Sequence, residues 1–157
     1  MSEIKTHARA VADVIDGLVV ASVEIARTPE RVFQALSSRE IVDWWVNPGV
    51  FDTREWSGEV CVGGRWRASG IARGAPYTLE GEFLEVDPPR KLVQTWHRQG
   101  APGTPSTLTY LLEPIAGGTR LTVRHVVIAP SDQRNNVSAG WRTSCDRLSE
   151  ILSSRNG

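Results

Sequence analysis

Residues 81–96 read GEFLEVDPPRKLVQTW, two extended runs hinged on Asp87-Pro88-Pro89. Proline lacks a backbone N–H and fixes φ, so the pair ends one strand and turns the chain into the next. Further on, Gly117-Gly118 has the chemistry of a tight hairpin between a strand at 106–113 and another at 119–128. A helix within 132–154 follows. Its apolar stripe carries Val137, Trp141, Cys145, Leu148, Ile151 and Leu152, with Arg142, Asp146, Arg147 and Glu150 opposite. Strands joined by short turns form an antiparallel meander, not βαβ units. A curved sheet of this kind, closed by one long helix, wraps a cavity.

Upstream of this stretch, Val19, Ala21, Val23 and Ile25 alternate with polar residues and predict a strand from Leu18. Thr28-Pro29-Glu30 starts a helix: a side-chain oxygen at the N-cap, a ring that presets φ, and an acid near the positive end. Val32, Phe33 and Leu36 are its apolar face. Ser37 and Glu40 have capping-box spacing for a second short helix carrying Ile41, Trp44 and Trp45, which Asn47-Pro48-Gly49 stops. Strands at 50–56, 65–72, 77–86 and 91–97 complete a sheet of about six or seven strands. Residues 1–17 read equally as a short helix, from the spacing of Ile4, Ala8, Val11 and Ile15, or as a loosely held lead-in. Residues 18–157 read as one domain.

The chain has 157 residues, with 18 basic and 18 acidic side chains and no formal net charge. A domain of this length buries about 70% of its unfolded surface and needs no staple. Zero net charge removes the field a nucleic-acid binder uses, and no apolar run reaches membrane-spanning length. The first residues lack the apolar core of a signal peptide, and Cys61 and Cys145 lack ligand or CxxC spacing, so the expected setting is cytoplasmic and reducing. No metal site is expected, since His97 and His125 face opposite ways by strand parity and Cys61 and Cys145 lack ligand spacing, and no cofactor is expected, with P-loop, GxGxxG and GxSxG contexts missing from the sequence.

Strand parity nominates the residues that face the cavity. Leu121 and Val123 put His125 on an inward face; Gln94 shares a face with Leu92 and Trp96; Tyr110 lies between Leu108 and Leu112. A buried polar group without a partner costs roughly 1–3 kcal/mol, so Gln94, Tyr110 and His125 should satisfy one another, hold water, or meet a ligand. For His125 a core histidine bonded to Tyr110 or to a backbone carbonyl is preferred over a catalytic base. Trp44, Trp45, Trp66, Trp96 and Trp141, with Phe83, supply the aromatic share of the expected lining, although rings that fill a core have the same composition.

The motifs IARTPERVFQAL at 25–36, Trp44-Trp45, Gly63-Gly64-Arg65-Trp66, the stretch at 81–96, Gly118-Thr119-Arg120-Leu121 with His125, and Gly140-Trp141 occur in an order that resembles the helix-grip fold of the START and birch-pollen-allergen-like (SRPBCC) superfamily. More narrowly, the chain resembles its heat-shock-protein-90 ATPase activator-homologue-like branch. The resemblance implies an α+β fold, a concave sheet gripping the C-terminal helix over a cavity, with two short helices after the first strand. Superfamily members bind apolar or amphipathic small molecules, and some are aromatase/cyclases or hydrolases. The co-chaperone that names the branch carries an Asn-x-Trp-His-Trp type motif near its N-terminus, which this sequence lacks. The expected function is binding of a small hydrophobic or aromatic ligand with no chemistry assigned. The alternatives are a polyketide cyclase/dehydratase using His125 or Tyr110, and a chaperone ATPase-activating module. Monomer and homodimer both remain open, the latter through an edge strand or the Trp44-Trp45 region. The loops at 98–105 and 129–136 are the expected mouth.

Overall fold

Alternating burial sets the strands of the computed structural model, which describes residues 10–15, 17–101, 103, 105–126 and 131–154. They are β1 (Val11–Ile15), β2 (Leu18–Ile25), β3 (Val46–Asn47), β4 (Phe51–Gly58), β5 (Arg65–Ala72), β6 (Ala75–Asp87), β7 (Lys91–Arg98), β8 (Ser106–Ile115) and β9 (Gly118–Val126). Helices α1 (Pro29–Leu36) and α2 (Ile41–Trp44) follow β2, and α3 (Ser131–Ser154) closes the chain. All pairings are antiparallel, in the order β1-β2-β9-β8-β7-β6-β5-β4-β3. The helix-grip class therefore holds.

The curl of the sheet follows from its contacts. Helix α3 packs on β1 and β2 at one end of the strand order and on β3 at the other, so the sheet bends around it. Register shifts at Thr53/Glu55 and Phe83/Glu85 supply local bends, because an unpaired residue kinks a strand and increases its twist. Gly81 permits a close approach where β6 meets β7: a Cβ there would run into the Thr95 carbonyl and lie 2.6 Å from Trp66 Nε1. Side-chain bonds to main-chain carbonyls help latch α3. Arg27 Nη1 donates to the Leu152 carbonyl at 3.1 Å, Ser149 Oγ to the Glu24 carbonyl at 3.1 Å, and Arg147 Nε to the Asp43 carbonyl at 2.7 Å.

Several expectations need correction. Among the described residues the sheet has nine strands, not six or seven. One extra strand is β3; the other is β1, in the segment expected to be helical or loose. Gly17, at φ 80°, turns the chain so that Ile15 faces Leu18, and β1 takes the otherwise open edge of β2. Asp146 accepts a 2.6 Å bond from the Ala10 N–H at the same place. Pairing with Leu18–Ser22 of β2 outweighs a few apolar residues at helical spacing. Residues 1–9 of that segment, and residues 127–128 of the strand expected to end at 128, lie outside the described residues.

Helix α1 starts as expected, with Thr28 Oγ1 accepting from Arg31 N at 3.2 Å. The capping box before α2 does not form. Ser37 instead ends α1 and donates its hydroxyl to the Phe33 carbonyl at 2.7 Å, while Glu40 pairs with Arg31 at 2.7 Å.

Candidate functional site

The inner faces of the sheet divide by position along the strands. At one end lie the start of β4, the end of β5, the start of β6, the end of β7, the start of β8 and the end of β9, which antiparallel pairing brings side by side. These termini, with α2's exit and the first half of α3, surround a cavity of about 710 Å³. Its wall includes Trp45, Phe51, Tyr77, Leu79, Trp96, His125, Val137, Gly140, Trp141 and Ser144, and Asn47, Arg73, Arg98 and Asn136 stand at its rim. The volume falls within the range of small-molecule sites, and the wall has their usual character: apolar, with a few polar groups.

Trp45 is the hub of the wall. Its ring centroid lies 5.6 Å from Trp96, 6.2 Å from Trp141, 6.0 Å from Trp66 and 6.3 Å from Trp44. These spacings are those of favourable tilted and edge contacts. It sits one position past Trp44 at the end of α2, so successive side chains serve opposite purposes. Trp44 turns into the core and donates Nε1–H to the Ala35 carbonyl at 2.9 Å, while Trp45 faces the cavity.

Of the residues predicted to line a site, the structure brings Trp45, Trp96, His125 and Trp141 together on the cavity wall. Trp44, Trp66, Phe83, Gln94 and Tyr110 are inward-facing and buried, yet they are not part of it. The reason is longitudinal. Phe83 and Tyr110 lie four residues beyond the lining residues Leu79 and Ser106 on their strands, and Gln94 two residues before Trp96, at about 3.3 Å per residue towards the end where α3 packs with Cys145, Leu148 and Leu152. Trp66 donates Nε1–H to the Thr95 carbonyl at 3.0 Å. The trio Gln94, Tyr110 and His125 does not form a mutual network. Because Trp44 and Trp45 are 1% and 5% exposed, that pair offers no surface for a homodimer.

His125 is held by a different set of partners than expected. Trp141 Nε1 donates to His125 Nδ1 at 3.1 Å, and His125 Nε2 lies 2.8 Å from Ser106 Oγ, which donates to the Trp96 carbonyl at 3.0 Å. An indole nitrogen can only donate, so Nδ1 carries the lone pair and Nε2 the proton. That proton goes to Ser106, whose own proton goes to Trp96. The Ser–His distance is that of a nucleophile and its base, but the direction is reversed. In a catalytic triad the third group accepts from the imidazole; here it donates. Ser106 is not activated, and His125 has no free lone pair for a general base. Trp96 stacks on the imidazole at a centroid distance of 4.2 Å and 31° between planes.

The electrostatics agree. Burial holds the His125 pKa down at about 3, so the ring is neutral. Burial also raises the phenol of Tyr110 and pushes the Cys145 thiol up to about 12. Tyr77 is raised mainly by burial, opposed by its 2.7 Å hydrogen bond with Thr53. Among the described residues no group of three or more His, Cys, Asp or Glu gathers where it could hold a metal ion, and no helix is long and apolar enough to cross a membrane. Two lining residues keep an unpartnered buried polar atom, Nε1 of Trp96 and Oγ of Ser144.

Sequence reading missed Ser106, Tyr77, Leu79 and Arg98 as lining residues, although parity contained the signal: Ser106 shares a face with Leu108, Tyr77 and Leu79 with Phe83, and Arg98 with Trp96. Arg73 sits on a turn, where parity does not apply. Of the expected mouth, Arg98 and Asn136 do line the rim, while residues 102, 104 and 129–130 lie outside the described residues.

Residues 26–153 match the family described as activator of Hsp90 ATPase homolog 1-like protein. Among solved structures, protein CV1439 from Chromobacterium violaceum is similar with a TM-score of 0.81 at 22% identity, over 90% of this chain and 100% of that one. A Rhodobacter sphaeroides protein has a TM-score of 0.77 at 22% identity, over 94% of this chain and 100% of its own. DynU16, from the dynemicin biosynthetic locus, has a TM-score of 0.71 at 22% identity, over 89% of this chain and 48% of its own. These likenesses concern the fold. No curated protein matches the chain.

Proposed function

We propose that this chain, which belongs to the activator of Hsp90 ATPase homolog 1-like family, binds a small hydrophobic or aromatic molecule in the cavity between its sheet and its C-terminal helix. The observation that carries this reading is an apolar-walled hollow of about 710 Å³ at one end of the sheet. Protein cores pack like organic crystals, and a wall without facing atoms forfeits dispersion energy along its whole area. A guest restores those contacts. The indoles of Trp45, Trp96 and Trp141 offer ring faces to a flat aromatic body. The unpartnered Trp96 N–H and Ser144 hydroxyl would gain an acceptor after a small side-chain rotation, which favours a guest carrying one polar group.

No reaction is assigned. A cyclase/dehydratase would need His125 or Tyr110 to move a proton. The imidazole is engaged at both nitrogens, and Tyr110 lies off the cavity wall with its phenol raised by burial. A role on a chaperone ATPase has no support beyond the family's name. The partner is thus a small molecule, not nucleic acid, and a reducing cytoplasm suits the two free cysteines.

Titration with 2-(2-naphthyl)ethanol, followed through tryptophan fluorescence, tests the proposal. The expected result is saturable binding at one molecule per chain. A linear, unsaturable response up to the solubility limit overturns it.

A further inference from the structure

The wall of the cavity is neutral but its rim is not. Arg73 and Arg98 both line it, both are exposed, and no Asp or Glu is among the lining residues. Among the described residues neither arginine forms an ion pair. Asp52, the acid on the neighbouring strand β4, is taken by Arg54 at 3.0 Å. The chain as a whole has no net charge, so this positive rim is local and not a consequence of overall basicity.

The backbone fixes where the two cations stand. Arg98 ends β7 directly opposite Leu79 of β6, itself on the cavity wall. Arg73 occupies the turn between β5 and β6 at φ 51°, a left-handed conformation that favours glycine or asparagine, and its N–H donates to the Val50 carbonyl at 2.8 Å. Positive φ at both Arg73 and Gly74 (51° and 81°) is what a two-residue hairpin loop between Ala72 and Ala75 requires, and that turn sets a long cationic side chain at the entrance of an apolar hollow.

We infer that the guest is an amphipathic anion, an apolar body seated against Trp45, Trp96 and Trp141 with a single carboxylate-type end group held at the rim by Arg73 and Arg98. This rests on the ligand-binding reading and deepens it. Guanidinium groups present forked donors that match a carboxylate, and beside a low-dielectric wall their attraction exceeds its value in bulk water.

A matched pair of probes tests it: 2-naphthylacetate and 2-(2-naphthyl)ethanol share a skeleton and differ in charge. At low ionic strength the wild type should bind the acid about tenfold more tightly, and 0.5 M salt should shrink the preference. The double variant Arg73→Asn, Arg98→Gln should bind the acid no more tightly than the alcohol, the ratio of the two affinities being the readout. Asparagine tolerates the left-handed turn, so this variant keeps its fold, as circular dichroism would verify. If the alcohol binds and the acid binds no tighter, or if the double variant keeps the preference, only the anion assignment falls. If neither probe binds, the ligand-binding reading falls and takes the assignment with it.

Discussion

The two ends of the same sheet do different work with the same kinds of residue. At the packed end, Trp44 and Trp66 give their indole N–H to main-chain carbonyls and are 1% and 2% exposed, with Phe83, Leu92 and Tyr110 filled in around them. At the hollow end Trp96 and Trp141 stand on a cavity wall. One has an unpartnered N–H and the other spends its N–H fixing the His125 ring. Aromatic content alone does not separate a core from a binding wall. Where its residue lies along the strand does; the indole's partner does not, since Trp56 Nε1 is also unpartnered and lies off the cavity.

Truncation should expose this contrast most strongly. Trp44→Ala or Phe83→Ala at the packed end should lose about 3–5 kcal/mol of unfolding free energy in urea, whereas Trp96→Ala should lose about 1–2, since one of its faces already lacks packed neighbours. Equal losses at the two ends would erase the distinction.

Acid should act next, through the hollow end. His125 has a folded pKa of about 3 against roughly 6.5 unfolded, so only the unfolded chain takes up its proton between those values. Stability from this group is complete above pH 6.5 and declines as pH falls towards 3, by about 3 kcal/mol at pH 4. Denaturant midpoints at pH 7 and pH 4 for wild type and His125→Gln would show it as a smaller drop in the variant. Identical drops would mean the ring is not buried neutral.

The hydrogen bond from Trp141 is a finer probe. Trp141→Phe leaves His125 Nδ1 a buried acceptor without its donor, a loss of about 1–2 kcal/mol. Nitrogen-15 NMR of the wild-type imidazole should report the proton on Nε2; a proton on Nδ1 would contradict the geometry. The mildest change is Ser144→Ala. Deleting an unpartnered hydroxyl should alter stability by less than about 0.5 kcal/mol, and a larger loss would show that the hydroxyl has a partner.

Much of the fold was legible because strand alternation and turn residues are local signals. The Asp87-Pro88-Pro89 turn and the Thr28 cap stand where residue chemistry puts them, and the hairpin expected about Gly117-Gly118 turns one residue earlier, on Ala116-Gly117, with Gly118 already paired to Ile115. The inward faces were legible too, since His125, Trp96 and Tyr110 are all buried on their predicted sides or half-buried there. What sequence could not supply was position along those faces. Gln94 and Trp96 share a strand and a parity, and only Trp96 lines the cavity, because curl, two bulges and the docking of α3 determine where the helix touches the sheet. Those are long-range properties. The same holds for Arg73, whose turn lies at the rim only once the sheet has curled, whereas β1 is a local hairpin with β2 whose signal is the turn residue Gly17, not the helical spacing of its apolar residues.

Gly140 offers the sharpest discrimination, because it lines the cavity and an added Cβ would meet nothing within 4 Å. Phenylalanine there fills the hollow from a helix that gains by losing a glycine. The measurement is the affinity of Gly140→Phe for 2-(2-naphthyl)ethanol beside that of the wild type, with thermal unfolding of both. If the cavity is the binding site, the variant unfolds no earlier than wild type and no longer binds. A folded Gly140→Phe that binds as tightly as wild type would place the site elsewhere.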